Sequence, residues 1–240
     1  MSTKPVEGAR EIEKNAGGRK TSNSANPATD IHPLDYYAAK QFQIPELQGI
    51  SRKNIDEHLE LYAGYVKFSN HIVNRIRELP KDEDHAYELS LLQNRLAYEH
   101  NGMKHHEVFF EQFEGGPAAC APEGPFLKQI AEDFGSFDEL VSCLKGVAMT
   151  RGIGWTMLYH CHDTGHLIPH WVEEHHIGLL SGPRLILALD MWEHAFVYDY
   201  PTSEKKKYVD ALFENLSWIK VEARFGKTEA TAKRSILSPS

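Results

Sequence analysis

The sequence is short of positive charge. Its 26 lysines and arginines face 34 aspartates and glutamates, a formal net charge of -8. A protein built to hold nucleic acid would carry the opposite balance, so nucleic acid is not expected as a partner. No run of 18 or more apolar residues occurs, so no membrane-spanning segment is expected. Cysteine is scarce: Cys120, Cys143 and Cys161 are odd in number and form no C-x-x-C pair. That suits a reducing, cytoplasmic setting without structural disulfides. The N-terminal stretch MSTKPVEGAREIEKNAGGRK has no apolar core and does not read as a secretory signal, and Glu7, Glu11 and Glu13 argue against a mitochondrial leader. Aromatics are absent before Tyr36. Residues 1–33 therefore cannot bury enough apolar surface to order themselves and are expected to form a flexible tail. Residues 227–240 read the same way.

What remains is an ordinary globular chain. Its 240 residues are 41% hydrophobic and 25% charged, enough for one large domain or two small ones. The outlier is histidine, at 14, a first hint of metal binding, with scattered surface histidines as the plainer account.

Two long helices are expected first. Ser51 is a good N-cap, and Ile55, His58, Tyr62, Tyr65, Ser69, Ile72 and Ile76 then step by three or four along one face. Pro80 ends this helix. A second spans about Asp82 to Phe113, with the stripe Leu92, Leu96, Glu99, Met103, His106, Phe110 and Phe113, and Gly115-Gly116-Pro117 stops it. Joined by so short a turn, the two make an antiparallel hairpin over residues 34–117. Residues 118–226 change character. Phe126–Phe134 and Ser136–Met149 read as shorter helices, and Trp155–His162, His166–Glu173 and Arg184–Asp190 as strands, the first two joined by the turn Asp163-Thr164-Gly165. A last helix covers roughly Glu204 to Arg224. The fold class is α+β: a helical hairpin, then a mixed domain with a three-stranded antiparallel sheet flanked by helices.

His58 and His106 lie on the apolar faces of the two long helices. Either one alone would be read as a satisfied core histidine. Adjacent helical residues point about 100° apart, so the stripe selects His106 over His105 as the inward one. Asp190 ends the apolar strand LILALD, and His194 follows four residues later. A lone buried carboxylate is costly, and a metal ion is one of the few things that offsets it. Imidazole and carboxylate donors suit iron or manganese.

At these residues the chain resembles a known family. DMWEHAFVYDY is similar to the signature D-x-W-E-H-A-Y-Y of the iron/manganese superoxide dismutases. FGSFDELVSCLKGVAM followed by GIGWTMLY resembles that family's middle segment, HHEVFFEQF with the following GG its second-helix stretch, ISRKNIDEH the approach to its first histidine, and NLSWIKVEARF its closing helix. The resemblance runs from about Gln43 to Phe225 with all five segments in order. It implies one iron or manganese ion per subunit, held by His58, His106, Asp190 and His194 with water or hydroxide as fifth ligand. It implies superoxide as substrate, dismuted to dioxygen and hydrogen peroxide as the ion cycles between its +3 and +2 states. It also implies at least a homodimer, with Glu193 bonding the liganding histidine of the partner subunit.

The chain departs from that pattern in several places. The family's glutamine near the bound solvent comes from one of two positions, held here by Gly102 and Arg151. His175 in VEEHH is the candidate to donate to the solvent in its place, and Arg151 is expected to point elsewhere. The family's gateway tyrosine follows the first ligand by one residue more than Tyr65 follows His58, as loss of a π-bulge would produce. Tyr65 is therefore assigned the gateway role. Tyr62 takes the place of a channel histidine whose cross-interface tyrosine partner is Val197 here. Core packing is the alternative role for both tyrosines. Phe110 and Met157 replace tryptophans. Lys205, Lys206 and Lys207 either steer a small anion or form a solvated face. Ala188 leaves iron and manganese both open.

Other metal enzymes fit less well. A di-iron carboxylate protein needs two Glu-x-x-His motifs on helices, and only Glu173-x-x-His176 is present. A zinc hydrolase would need His-Glu-x-x-His, and His106-Glu107 has no second histidine at that step. The remaining alternative is a dismutase-like metal-binding or structural protein without turnover.

Overall fold

The computed structural model describes residues 36–236, with side chains through Lys227. The expected tail over 1–33 lies outside the described residues.

Helix α1 spans Arg52–Glu78 and is α-helical throughout. The Ser51 hydroxyl accepts the Asn54 N–H at 3.1 Å, as a capping serine should. Leu79 leaves the helix with ψ 130, the extended conformation that a following proline demands. Helix α2 spans Ala86–Glu111, starting later than the sequence suggests. The Asp82 carboxylate accepts the His85 N–H and holds residues 82–85 in a turn instead. Gly115 and Gly116, both at φ 81, end the hairpin.

Helices α3 (Pro125–Phe134) and α4 (Phe137–Ala148) meet where expected. Gly135 takes φ 82, and the Ser136 hydroxyl caps α4 by accepting the Glu139 N–H. Strands β1 (Gly154–His160), β2 (Leu167–Glu173) and β3 (Arg184–Asp190) form one antiparallel sheet in the order β2-β1-β3. Every β1 residue is buried, as befits a central strand covered on both faces. The register sets Trp155 opposite Asp190 and Val172, which brings the end of β3 beside the start of β1.

The expected single helix over 204–224 is in fact two, α5 (Lys205–Asn215) and α6 (Trp218–Ile236). Leu216 is extended, and the backbone there bonds elsewhere: Ser217 N–H to Gln112, Ala118 N–H to Leu216, Trp218 N–H to Ala118. Those bonds replace the ladder a continuous helix would need. The sequence reading also ends this helix too early. It continues to Ile236, through residues expected to be tail.

The hairpin and the mixed part share one core, which joins Tyr62, Tyr65 and Phe110 to Trp155, Leu187 and Phe225. Among the described residues no helix is long and apolar enough to cross a membrane.

Candidate metal centre

Four elements converge on one point. His58 comes from α1, His106 from α2, Asp190 from the last position of β3, and His194 from the single 3₁₀ turn Glu193–Ala195. The Nε2 atoms of His58, His106 and His194 lie 3.2, 3.4 and 3.1 Å from the same carboxylate oxygen, Asp190 Oδ2. All four donor atoms lie within 4.8 Å of one another, the one such group of His, Cys, Asp or Glu among the described residues. Ligand atoms that share one centre at about 2.0–2.2 Å stand roughly 3–3.6 Å apart, so the spacing fits a single ion.

The surroundings leave these atoms free for it. His106 Nδ1 lies 2.6 Å from the Gly102 carbonyl, an acceptor only, so Nδ1 carries the proton and Nε2 is bare. That Nε2 is buried and has no hydrogen-bond partner, an orphan that folding would not tolerate without a ligand. Asp190 Oδ1 accepts the Trp192 N–H at 2.8 Å, which turns Oδ2 toward the histidines. Burial holds His58 and His106 below the ordinary imidazole range. Burial would raise Asp190, but the nearby His194 and the bonds from His194 and His58 outweigh it and hold the carboxyl well below its usual range. Neutral imidazoles and an ionised carboxylate are the forms a metal needs.

Beside the cluster sits a hydrogen-bonded chain. The Trp155 indole N–H donates to His175 Nδ1 at 3.0 Å. An indole can only donate, so Nδ1 is bare and the proton of the neutral ring sits on Nε2. Nε2–H therefore donates to the Tyr65 hydroxyl, 2.7 Å away. His175 is fully buried, stacked on Trp192 at 4.8 Å, and burial lowers it to about 4. The Tyr65 ring stacks on His106 at 5.1 Å, and burial lifts its hydroxyl far above the usual phenol range. The sequence expectation sent His175 straight to the metal-bound solvent. The structure sets its Nε2 against the Tyr65 hydroxyl.

Other expectations change as well. His105 is as buried as its neighbour, packed on Trp155 at 5.3 Å, because the C-terminal half of α2 is covered on more than one side. Tyr62 belongs to the core: its ring packs on Phe42 and Phe110, and its hydroxyl accepts the Lys40 N–H at 2.9 Å. Lys206 and Lys207 are paired with Asp210 and Glu204, and Lys205 donates to the Thr150 carbonyl, which favours the solvated-face reading over steering. Arg151 is exposed on a surface groove that also holds Met191 and Glu193. Phe110 packs edge-on against His58, and Met157 accepts the Tyr159 hydroxyl through its sulfur.

Sequence reasoning missed two contributors. Gly102 gives the Tyr65 ring its place: a Cβ there would lie 2.7 Å from Tyr65 Cδ1. A glycine inside a helical run was the available signal, since its cost to the helix calls for a packing reason. Tyr98 packs edge-on against His175 at 4.6 Å, and nothing in the periodicity of α2 marks it.

The family described as iron/manganese superoxide dismutases, C-terminal domain, matches residues 122–224. An iron superoxide dismutase of Cupriavidus metallidurans is 32% identical over 199 residues, 82% of this chain and 95% of that protein. A manganese superoxide dismutase of Haloferax volcanii is 34% identical over 201 residues, 82% of this chain and 94% of its own. An iron enzyme of Methanothermobacter thermautotrophicus is 29% identical over 199 residues, covering 78% and 95%. These relatives are oxidoreductases, and the cluster of three histidines and one aspartate could hold a metal ion such as theirs. The chain belongs to the iron/manganese superoxide dismutase family.

Proposed function

We propose that this protein is a superoxide dismutase, using one iron or manganese ion held by His58, His106, Asp190 and His194. The observation that carries the reading is the bare, partnerless Nε2 of His106 aimed at the oxygen that His58 and His194 also face. When bound, the ion supplies a one-electron couple that takes an electron from one superoxide, released as dioxygen, and gives it to a second, released with two protons as hydrogen peroxide.

The protein's part is to set the donors and hold protons. The Gly102 carbonyl fixes the His106 tautomer and the Trp192 N–H fixes the Asp190 carboxylate, as outer hydrogen bonds do in metal sites. Tyr65 keeps its proton, accepts from His175, and has its one O–H left to donate inward. The pair takes the role for which the family uses glutamine and its gateway tyrosine. This role for His175 acts through Tyr65.

The active form is a homodimer with Glu193 at its interface. In the single chain Glu193 is an exposed carboxylate next to the ligand His194, on a groove of about 600 Å³ with Met149, Arg151 and Ile153. Val197 and Tyr198 just beyond it are about half exposed, as residues awaiting a partner would be. The free thiols of Cys120, Cys143 and Cys161 support work in the reducing cytoplasm.

Asp190→Ala tests the assignment. Metal content and dismutation should be lost together. A variant that keeps a full equivalent of metal and its activity would place the ion elsewhere. Sedimentation of the metal-loaded protein should give a dimer that Glu193→Ala weakens; an unaltered monomer in both would remove the interface.

A further inference from the structure

His58 and His106 are held by the hydrogen-bond ladders of two long helices. The other half of the site has no such frame. Asp190 is the last residue of β3, and His194 sits in a three-residue 3₁₀ turn just beyond it. His194 is also the least enclosed of the four: its side chain is 27% exposed, against 1% or less for the others. Packing around the ring does not fix it. The bonds within the segment are short-range: Trp192 N–H to the Asp190 carboxylate, Ala195 N–H to Trp192 and Phe196 N–H to Glu193. They shape the turn without placing it in the molecule. The Met191 N–H bonds Gly154 beside β1 at 2.9 Å, which anchors the backbone at one point only. A site has to hold its donors to within about 0.5 Å, so more is needed from outside the segment.

One side chain grips both ends of it. Tyr208 is buried on α5, and its hydroxyl donates to the Asp190 carbonyl at 3.0 Å. Its ring stacks on that of Phe196, two residues past His194, with centroids 5.2 Å apart and 29° between the planes. The helix beneath it is a fixed platform. Val209, Ala211 and Leu212 bury its inner face, and Asn215 at its end exchanges two hydrogen bonds with the Gln48 backbone. A buried tyrosine hydroxyl needs a partner, but any carbonyl would serve that purpose. Here the carbonyl belongs to a candidate ligand, and the same ring meets the far end of the segment that carries a second one.

We infer that Tyr208 is a positioning residue for the metal site, which sets Asp190 and His194 relative to each other by holding both ends of the segment they share. The inference rests on the reading of these residues as ligands given above. Tyr208 acts through the Asp190 backbone and through Phe196. Without its hydroxyl the Asp190 end of the segment is held by the Met191 bond and the strand alone, and the carboxylate can drift from the place the three histidines define.

Tyr208→Phe tests it, because it removes the hydroxyl and keeps the ring on Phe196. Tyr200→Phe is the control: its hydroxyl also donates to a backbone carbonyl, that of Gly49, which lies in no ligand segment. Each variant gives up one hydrogen bond, so the two should lose a similar amount of Tm. Loss of an outer hydrogen bond costs about 10–100-fold in metal affinity. Loaded with iron or manganese, whichever the wild type retains, Tyr208→Phe should therefore release its ion to excess EDTA about tenfold faster than wild type. The EPR signal of the bound ion, which reads the symmetry of its ligands, should change shape. Tyr200→Phe should match wild type in both. A release rate within about twofold of wild type, or an unchanged signal, overturns the inference. Equal acceleration by Tyr200→Phe overturns it too, since that would mark a general loosening of the fold. Should Tyr208→Phe fail to fold, Phe196→Leu decides, because it keeps the hydroxyl and withdraws the stacked ring. Release about threefold faster is then expected, and a wild-type rate overturns the inference. Wild-type protein that takes up no ion would instead defeat the ligand assignment itself, before any variant is compared.

Discussion

Gly102 is where the helical hairpin and the metal site meet, and adding one methyl group there should disturb both. A Cβ at this position would lie 2.7 Å from Tyr65 Cδ1, 2.8 Å from Cε1 and 3.1 Å from Cγ. Carbon atoms rest at about 3.5–4.0 Å, so the ring must retreat by roughly 1 Å. Behind it is His106, stacked at 5.1 Å, and its hydroxyl is bonded to His175 at 2.7 Å. A shift of that size carries the hydroxyl beyond about 3.5 Å, where the bond is lost. Gly64, on α1, is the internal control: it is helical too, and a Cβ there would meet nothing within 4 Å. Both glycine-to-alanine changes gain about 1 kcal/mol of helix propensity. Only Gly102→Ala meets the overpacking cost of about 1–3 kcal/mol. Thermal unfolding of the two metal-loaded variants should therefore differ by about 2–12 °C in Tm, with Gly102→Ala the lower. Gly102→Ala should also lose activity while keeping its metal, and Gly64→Ala should not. Equal stabilisation of both variants, with full activity in each, would refute the packing argument and the bond that rests on it.

Other outcomes follow from the same geometry. Trp155→Phe removes the donor that keeps His175 Nδ1 bare, so the metal-loaded variant should retain its ion and lose several-fold in kcat; unchanged kinetics would show that the tautomer needs no such fixing. Glu174 sits at φ 49, a left-handed conformation that costs a side chain about 1 kcal/mol. Glu174→Gly should raise Tm by about 2–4 °C, and a lower Tm would mean that its side chain outweighs the strain. Burial holds His105 at about 3 and His175 at about 4, both below the ordinary 6.5. The unfolded chain then binds protons that the folded one refuses, so stability falls as pH drops from about 6.5 to about 4. Each such group contributes up to about 1.4 kcal/mol per pH unit. His105→Phe should flatten the pH dependence of unfolding in the metal-free protein by about that amount, and equal slopes would remove His105 from the account.

The four clustered residues were legible partly from local pattern and partly from the family resemblance. His58 falls on the apolar stripe of an amphipathic helix, His106 on a run of inward residues stepping by three or four along α2, and Asp190 closes a strand too apolar for a free carboxylate. Ser51, Pro80, Gly135 and Ser136 mark helix ends through local backbone chemistry, and the structure follows them. What was not legible depends on contacts between distant segments. The break between α5 and α6 is made by Gln112 and Ala118, far away in sequence. His105 is buried because the sheet covers a second face of α2, which a one-stripe reading does not foresee. The Trp155–His175–Tyr65 chain joins β1, a tight turn and α1, and Tyr98 takes its place only from the rings around it.

The central claim is a redox metal site that turns over superoxide. Its most direct test is dismutation by protein loaded separately with iron and with manganese, the bound metal quantified in each. The account predicts about one ion per chain and rapid turnover with at least one of the two. An equivalent of metal without turnover in either form would contradict it, and would leave His58, His106, Asp190 and His194 as a binding site alone.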